Sequence, residues 1–350
     1  MTRRARLLTA VVGLFLFTST QATARDFIRI VGSSTVFPFA ALVAEEFSLK
    51  TPYATPIIEQ LGTGGGFKLF CGGLGTSGRF DYPDIANASR TIKPDERAEC
   101  LRNGVQDIME LKIGYDGIVL ANVRGGSPVS LSLTQLYLGL AARIPRKTLN
   151  GYALIDNPHQ LWSDIGPDLP DIPILVYGPP PSSGTRDAFV SGALLPGCLK
   201  HMETLGAVSL RPDCERLRAD GRFIEAGESD NFIVQRLRQN PNAVGILPFA
   251  SVDQNPGIMQ SFAIEGIMPD QDSISSRRYP IARPMYIYVK VAHASAIPGL
   301  TGFVEEFLSR NAMGPYGYLI DKGLVRLPQN EWVDSQVVAS RLQKNVSASP

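Results

Sequence analysis

The stretch from Phe27 to Phe47, FIRIVGSSTVFPFAALVAEEF, decides the fold because its apolar residues change from one repeat period to another. Phe27–Val31 is rich in β-branched residues and predicts a strand, and the hydroxyl-rich loop Gly32–Thr35 follows it. Apolar residues then recur at helical spacing from Phe39 to Phe47, and Pro38 is acceptable in the first helical turn. The stretch therefore predicts one strand–loop–helix unit.

Two later stretches repeat this plan. Ile57–Leu61 predicts a strand, and Gly62–Gly66 predicts the loop after it. Ile174–Tyr177 predicts another strand, whose loop Gly178–Thr185 leads into a helix over Arg186–Leu195. Because strands alternate with helices along the chain, we predict an α/β fold with largely parallel sheets.

The length of 350 residues exceeds what one hydrophobic core usually fills, so we expect two domains. Two strand-like stretches, Ile113–Val123 and Pro284–Val291, enclose a block that has its own helix at Leu133–Ala142. We predict two lobes joined by a two-strand hinge. The predicted bounds are residues 25–115 and 288–350 for lobe 1, and residues 116–287 for lobe 2. Two consecutive domains split at the linker Gly125–Pro128 are the alternative, and periodicity alone does not decide between them.

The N-terminus has the three parts of a secretory signal peptide. Three arginines precede the apolar run Leu7–Phe17, and the small residues Ala22–Ala24 supply a cleavage site. The apolar run is about half of the roughly 20 residues that a membrane anchor needs. We therefore predict that residues 1–24 are removed by cleavage near Ala24 and that the product is periplasmic or otherwise exported.

The charges of the chain are nearly balanced. The sequence has 34 Lys and Arg against 33 Asp and Glu, and removal of residues 1–24 takes away three arginines and no acidic residue. The product then carries 31 basic and 33 acidic side chains, a formal charge of −2. This balance removes the main electrostatic argument for a nucleic-acid partner. We expect a monomer that binds no nucleic acid.

Four cysteines, Cys71, Cys100, Cys198 and Cys214, suggest disulfides because an exported protein meets an oxidising compartment. The sequence allows three pairings, and the local pairs, Cys71 with Cys100 and Cys198 with Cys214, would each close a short excursion of the chain. A zinc site built from all four thiolates is the alternative, but no two of these cysteines have the C-x-x-C spacing.

The sequence lacks the patterns that usually mark an enzyme or a metal site. His159, His201 and His293 are scattered without the H-E-x-x-H spacing, and no G-x-S-x-G elbow marks a serine hydrolase. Gly73-x-Gly75-x-x-Gly78 matches a dinucleotide fingerprint, but Arg79–Pro83 is a poor start for a helix. We therefore expect a protein that is not an enzyme and that uses no cofactor or metal.

Hydroxyl-rich and glycine-rich loops at three predicted strand-to-helix junctions are the informative feature of the chain. A helix N-terminus exposes unpaired N–H groups and a partial positive charge, and Ser or Thr beside it adds donors without net charge. Arg90 and Arg186 each stand beside a Ser or Thr. Any single Ser or Thr could serve only as a helix cap, but three such junctions together favour the binding of a small oxyanion.

Four segments, in this order, carry a resemblance to a known family: GSSTV at Gly32–Val36, GTGGG at Gly62–Gly66, ASR at Ala88–Arg90, and SGTRDAF at Ser183–Phe189. They resemble the PstS-type phosphate-binding proteins, the periplasmic receptors of ABC phosphate importers. The resemblance implies a type II periplasmic binding protein, with two α/β lobes, a hinge, and inorganic phosphate held in the cleft for a membrane permease. The ligand-binding residues that it implies are Ser34, Thr35, Val36, Thr63, Gly64, Ser89, Arg90, Ser183, Gly184, Thr185 and Arg186.

The sequence departs from some members of this family at two positions. An aspartate that follows the third-loop serine in some receptors is Arg90 here, although other relatives also carry arginine. Pro179–Pro181 stands where some members have an arginine, and Arg90 could supply that charge instead. The carboxylate that reads the proton of hydrogen phosphate is then to be sought elsewhere, and the candidates are Asp187, Glu228 and Asp230.

These observations predict a receptor that captures inorganic phosphate between its lobes and delivers it to an ABC importer. One alternative is a receptor for another tetrahedral oxyanion, such as sulfate, molybdate or an organic phosphate. The other is a secreted phosphatase, which would need an activated nucleophile or a metal, and the sequence shows neither signature.

Overall fold

The computed structural model describes residues 25–207, 210, 213–227 and 229–347. The predicted signal peptide, residues 1–24, and the candidate carboxylate Glu228 lie outside these described residues. The strands are β1 (Arg29–Gly32), β2 (Ile57–Gln60), β3 (Thr76–Ser77), β4 (Phe80–Asp81), β5 (Ile85–Ala88), β6 (Ile108–Val123), β7 (Arg143–Thr148), β8 (Gly151–Asp156), β9 (Val176–Gly178), β10 (Phe223–Glu225), β11 (Val244–Pro248), β12 (Met259–Ser261) and β13 (Ala282–Lys290).

The helices alternate with these strands along much of the chain. They are α1 (Phe37–Lys50), α2 (Gly62–Phe70), α3 (Pro94–Arg102), α4 (Leu133–Leu140), α5 (Gly184–Phe189), α6 (Leu195–Thr204), α7 (Asp230–Gln239), α8 (Phe249–Asp253), α9 (Gln271–Ser275), α10 (Leu300–Phe307), α11 (Arg310–Met313), α12 (Tyr318–Asp321) and α13 (Gln329–Ser347). A π-helical turn, Val190–Leu194, joins α5 to α6, so the chain stays helical from Gly184 to Thr204.

In the described part of the chain, nine strands form one mixed sheet. Its order is β10-β9-β11-β6-β13-β5-β1-β2, and β12 also pairs with β6. Strand β1 runs parallel to β2 and β5 at one end, and β9 runs parallel to β10 and β11 at the other. The central strands β6 and β13 are antiparallel to their neighbours. The predicted parallel strands therefore occur as two groups, one on each side of a central antiparallel pair.

Strand β6 belongs to both halves of the sheet. Its residues 108–117 pair with β13, and its residues 118–121 pair with β11. Residues 113–123 are buried without interruption, as expected of a strand that is covered on both faces. The sequence predicts this strand over Ile113–Val123, whereas the strand in the structure begins at Ile108. The prediction missed residues 108–112 because exposed and half-buried positions among them interrupt the apolar run.

The predicted loop at Gly62–Gly66 is wrong, because these glycines form the first turns of α2. A Cβ atom at Gly66 would lie 2.5 Å from the Cα of Gly32, at the end of β1. The missing side chain therefore lets α2 pack directly against the backbone of β1. Close packing, rather than a flexible turn, accounts for a glycine at this position.

The C-terminal helix α13 extends to Ser347, and residues 348–350 lie outside the described part. This helix packs on the first half of β6. The Ser335 hydroxyl donates to the Lys112 carbonyl at 2.9 Å, and the Tyr115 hydroxyl donates to Glu331 at 2.8 Å. The C-terminal helix is thus fastened to the strand that crosses between the two halves of the sheet.

The cysteines form two local disulfides, Cys71–Cys100 and Cys198–Cys214. This confirms the prediction of disulfides and selects one of the three pairings. Within the described residues, no group of three or more His, Cys, Asp or Glu side chains is placed to hold a metal ion. None of the described helices is both long enough and apolar enough to cross a membrane.

Candidate functional site

Three loops meet at one edge of the sheet because parallel strands end there. Strands β1, β2 and β5 end at Gly32, Gln60 and Ala88, and the carboxyl ends of parallel neighbours face the same side. The segments that follow them are the first loop, Ser33–Val36, the second, Leu61–Gly64, whose last three residues begin helix α2, and the third, Ser89–Arg90. The structure thus brings together the predicted site residues of the first three segments.

The first loop is fixed by backbone contacts with its neighbour β5. Gly32 has a φ of +128°, and a Cβ atom there would lie 2.2 Å from the Asn87 carbonyl oxygen, so this position requires glycine. The Ser33 N–H donates to the same oxygen at 2.9 Å, and the Phe37 N–H donates back to the Ser33 carbonyl at 3.1 Å. Ser34 and Thr35 stay half-buried at the tip, where their hydroxyl groups face the rest of the site.

The second and third loops are joined by their hydroxyl groups. The Ser89 N–H donates to Thr63 Oγ1 at 3.1 Å, and the two side-chain oxygens also lie 3.1 Å apart. Gly64 is exposed beside them, and a Cβ atom on it would lie 3.9 Å from Nη2 of Arg90. Donors from both loops are therefore grouped in one half-buried patch.

The guanidinium of Arg90 is held by Glu96. Its Nη1 and Nη2 donate to the two carboxylate oxygens of Glu96 at 2.8 and 2.7 Å, and it lies 5.6 Å from the ring of Phe67. The hydrogen bond to Glu96 raises the pKa of Arg90, and burial, which acts against it, is the smaller influence. Arg90 thus lies beside Ser89 and Gly64 with much of its charge offset by a local carboxylate.

The fourth loop reaches the first from the other half of the sheet. It follows β9, and the Ser183 hydroxyl caps α5 by accepting from the Thr185 N–H at 3.2 Å. The Gly184 N–H donates to Ser34 Oγ at 3.0 Å, and a Cβ atom on Gly184 would lie 2.3 Å from Thr35 Oγ1. The two halves therefore meet through the loops that the sequence marks as oxyanion-binding.

Arg186 is turned away from this meeting point. Its Nη1 donates to the Pro179 carbonyl at 3.0 Å, and its guanidinium stacks 4.5 Å from the ring centre of Phe223. Burial lowers the pKa of Arg186, while the carboxylate of Glu225, 3.8 Å away, acts in the opposite direction. Arg186 holds the fourth loop against β10 in this arrangement.

Sequence reasoning missed two charged residues at the centre of the site, Arg283 and Asp116. They stand opposite each other on β13 and β6, and Arg283 Nη2 also donates to Thr35 Oγ1 at 2.6 Å and to the Gly184 carbonyl at 2.9 Å. The available signal was an aspartate inside an apolar strand and an arginine at the start of the returning strand. A charge in a buried strand needs a partner, and each of these residues is the partner of the other.

The candidate proton-reading carboxylates occupy different surroundings. Asp187 is exposed in the first turn of α5. Asp230, at the start of α7, accepts a hydrogen bond from the Ser251 hydroxyl. Burial raises the pKa of Asp230, and the nearby charge of Asp116 adds to this increase.

Comparison with known proteins identifies the family. A family model described as a PBP superfamily domain matches residues 18–311. Protein SphX of Synechococcus elongatus is 30% identical over 316 residues, which cover 87% of this chain and 81% of SphX. The phosphate-binding protein PstS of Staphylococcus saprophyticus is 25% identical over 310 residues, covering 87% of this chain and 82% of PstS.

A solved structure supports the same assignment. The crystal structure of a possible phosphate binding protein from Planctomyces limnophilus matches with a TM-score of 0.66 and 25% sequence identity, covering 92% of this chain and 99% of the other. The predicted α/β, two-lobed type II periplasmic binding protein fold is confirmed. The chain therefore belongs to the PBP superfamily, and its sequence and fold place it with the PstS-type phosphate-binding proteins.

Proposed function

We propose that this protein is a receptor that captures inorganic phosphate between the two halves of its sheet and delivers it to the membrane permease of an ABC importer. The observation that carries this proposal is the contact between the Gly184 N–H and Ser34 Oγ. It joins the first and fourth oxyanion loops in a chain whose relatives include proteins named for phosphate binding.

The binding residues in this proposal are the loop residues at the edge of the sheet. Backbone N–H and hydroxyl donors from two sides would replace the water shell of the anion without requiring net positive charge. Hydrogen bonds to a charged group contribute about 1.5–3 kcal/mol each, so a few aimed donors suffice for tight binding. The residues are Ser34, Thr35, Val36, Thr63, Gly64, Ser89, Arg90, Ser183, Gly184 and Thr185, with Arg186 in a supporting position.

The proposal includes export to the periplasm or an equivalent compartment after cleavage near Ala24. The two disulfides support an oxidising compartment, and the basic–apolar–small pattern of residues 1–24 supports a signal peptide. We further propose that the exported protein is a monomer, that it is not an enzyme, and that phosphate, rather than nucleic acid, is its ligand.

Isothermal calorimetry on the exported form tests the ligand. Phosphate, sulfate, molybdate and a phosphate monoester are titrated side by side at an acidic and a mildly basic pH. We expect tight binding of phosphate without turnover. Preference for sulfate or molybdate at both pH values would redirect the proposal to another oxyanion, and release of phosphate from the ester would indicate a phosphatase.

Removal of the hydroxyls of the first loop tests the site. The double variant Ser34→Ala with Thr35→Val keeps the loop backbone and should weaken phosphate binding about 10-fold or more, since two donors are lost. Ser48→Ala is the matched control, because the Ser48 hydroxyl donates to Glu45 within α1, outside the loops. Equal phosphate affinity in both variants would contradict the proposed site.

A further inference from the structure

Arg283 lies where the two halves of the sheet meet and belongs to none of the four loops. Arg283 is the second residue of β13 and lies directly opposite Asp116 of β6. The side chain of Arg283 is 16% exposed and that of Asp116 is 10% exposed. Because β6 and β13 pair at the centre of the sheet, this guanidinium projects from a rigid base rather than from a loop.

The guanidinium of Arg283 contacts both the first and the fourth loop. Its Nη2 donates to Thr35 Oγ1 at 2.6 Å and to the Gly184 carbonyl at 2.9 Å, and it lies 3.2 Å from Asp116 Oδ2. Its Nε donates to the same carboxylate oxygen at 3.3 Å. Among the residues that the structure describes, none accepts a hydrogen bond from Nη1, so both N–H groups of that nitrogen are free for a ligand.

The other two arginines near the loops are occupied differently. Both terminal nitrogens of Arg90 donate to Glu96. Arg186 donates to the Pro179 carbonyl and stacks on Phe223. Arg283 is thus the arginine that touches loops from both halves of the sheet, at the position where the Gly184 N–H meets Ser34.

We propose that Arg283 is the charged phosphate-contacting residue of this protein, with Nη1 donating to a phosphate oxygen, and that Asp116 is its positioning residue. This inference rests on the proposed function. A planar guanidinium fixed on one side by a carboxylate presents its remaining N–H groups in a geometry that suits phosphate oxygens. Arg283 would bring a positive charge to the site from β13, whereas Pro179–Pro181, which stands where some family members have an arginine, brings none.

Calorimetric titration of phosphate into variants of the exported protein tests this assignment. Arg283→Gln should weaken binding about 10- to 100-fold, the range for one charge-assisted hydrogen bond. Arg283→Lys keeps the charge but loses the planar fork, and should fall between the parent and Arg283→Gln. The matched control is Arg278→Gln, in the segment between α9 and β13, because Arg278 is exposed and donates to Ser276 Oγ, away from the loops.

The double variant Arg283→Gln with Asp116→Asn guards against a folding defect. Loss of Arg283 alone leaves a buried carboxylate unpaired, whereas the double variant removes both charges. If Asp116 acts through Arg283, Asp116→Asn weakens phosphate binding in the parent but changes it little in the Arg283→Gln background. A purely structural aspartate would weaken binding equally in both backgrounds, and that result overturns the positioning role.

The overturning result for Arg283 is equally definite. Binding of phosphate by Arg283→Gln, or by the double variant, within about threefold of the parent shows that Arg283 supplies no charged hydrogen bond, because one such bond exceeds that factor. A parent protein that binds no phosphate overturns the proposed function instead. The two failures are therefore distinguishable in a single series of titrations.

Discussion

The pairs Arg90–Glu96 and Arg283–Asp116 both lie beside the loops of this protein, but they differ in sequence separation, geometry and burial. Arg90 and Glu96 are six positions apart, form a two-pronged pair, and have side chains that are 33% and 17% exposed. Arg283 and Asp116 are 167 positions apart, share one carboxylate oxygen, and are 16% and 10% exposed.

The difference shows what each pair does for the fold. The local pair fixes the conformation of one loop and could be lost without separating any strands. The distant pair links β6 to β13 and, through Thr35 and Gly184, links both halves of the sheet. Of these two pairs, only the second contacts residues from both halves of the sheet.

The largest effect should come from breaking the contact that the distant pair supports. In Gly184→Ala the added Cβ would lie 2.3 Å from Thr35 Oγ1 and 2.8 Å from Ser34 Oγ, so these hydroxyl groups must turn away or the two loops must separate. We expect phosphate affinity to fall about 100-fold, since donors of the first and fourth loops no longer converge on one anion. Calorimetric titration measures the loss.

The matched control is Gly257→Ala, where nothing lies within 4 Å of the added Cβ. It should bind phosphate as the parent does. If Gly184→Ala also retained the parental affinity, the first and fourth loops would not act together, and the contrast between the two arginine pairs would lose its functional meaning.

A second effect, on stability rather than affinity, distinguishes the two pairs. Asp116→Asn leaves a mostly buried guanidinium without its counter-charge and should lower the free energy of unfolding by about 3 kcal/mol. Glu96→Gln makes the same chemical change at a more exposed pair and should cost about 1 kcal/mol. Urea unfolding of both variants measures the difference, and equal losses would contradict the ranking by burial.

A third effect, spread over several pH units, concerns the other end of β13, where Lys290 is fully buried and forms no ion pair with a described carboxylate. Its Nζ donates to the Gly73 carbonyl at 2.6 Å and lies 5.0 Å from the ring centre of Phe70. Burial lowers the pKa of Lys290 to about 7, although the charge of Asp84 acts to raise it and that of Arg25 to lower it further.

The unfolded chain therefore binds a proton that the folded chain has released between pH 7 and the ordinary pKa of 10.5. Stability should rise with pH across this interval, by at most about 1.4 kcal/mol per pH unit from this residue. Urea unfolding at several pH values measures the slope. Lys290→Met should remove this contribution, and an unchanged slope in Lys290→Met would assign the pH dependence to other groups.

The sequence predicted those parts of the site that depend on neighbours in the chain. A strand, a small-residue loop and a helix are all visible within residues 27–47, and β1 and α1 follow that pattern. Ser183 likewise caps a helix one residue later, and its role follows from the segment itself. Local hydrogen bonding and local periodicity are sufficient for such residues.

Arg283 and Asp116 could not be assigned in the same way. Each stands out only as a charge in or beside an apolar segment, and its partner and role depend on the register that pairs β13 with β6. The glycines of α2 were misread for the same reason, because Gly66 is required by the backbone of Gly32, a contact between distant parts of the chain. Long-range packing decides these positions, and one sequence does not encode it in any local pattern.

The place of Arg283 on the returning strand also sets the order in which the site is completed. Thr35 appears near the start of the chain, but the residue that bonds to it lies in β13. A chain that emerges from its N-terminus cannot close this contact until at least 283 of its 350 residues have passed. The Thr35 hydroxyl therefore lacks this hydrogen bond until most of the chain has been synthesised.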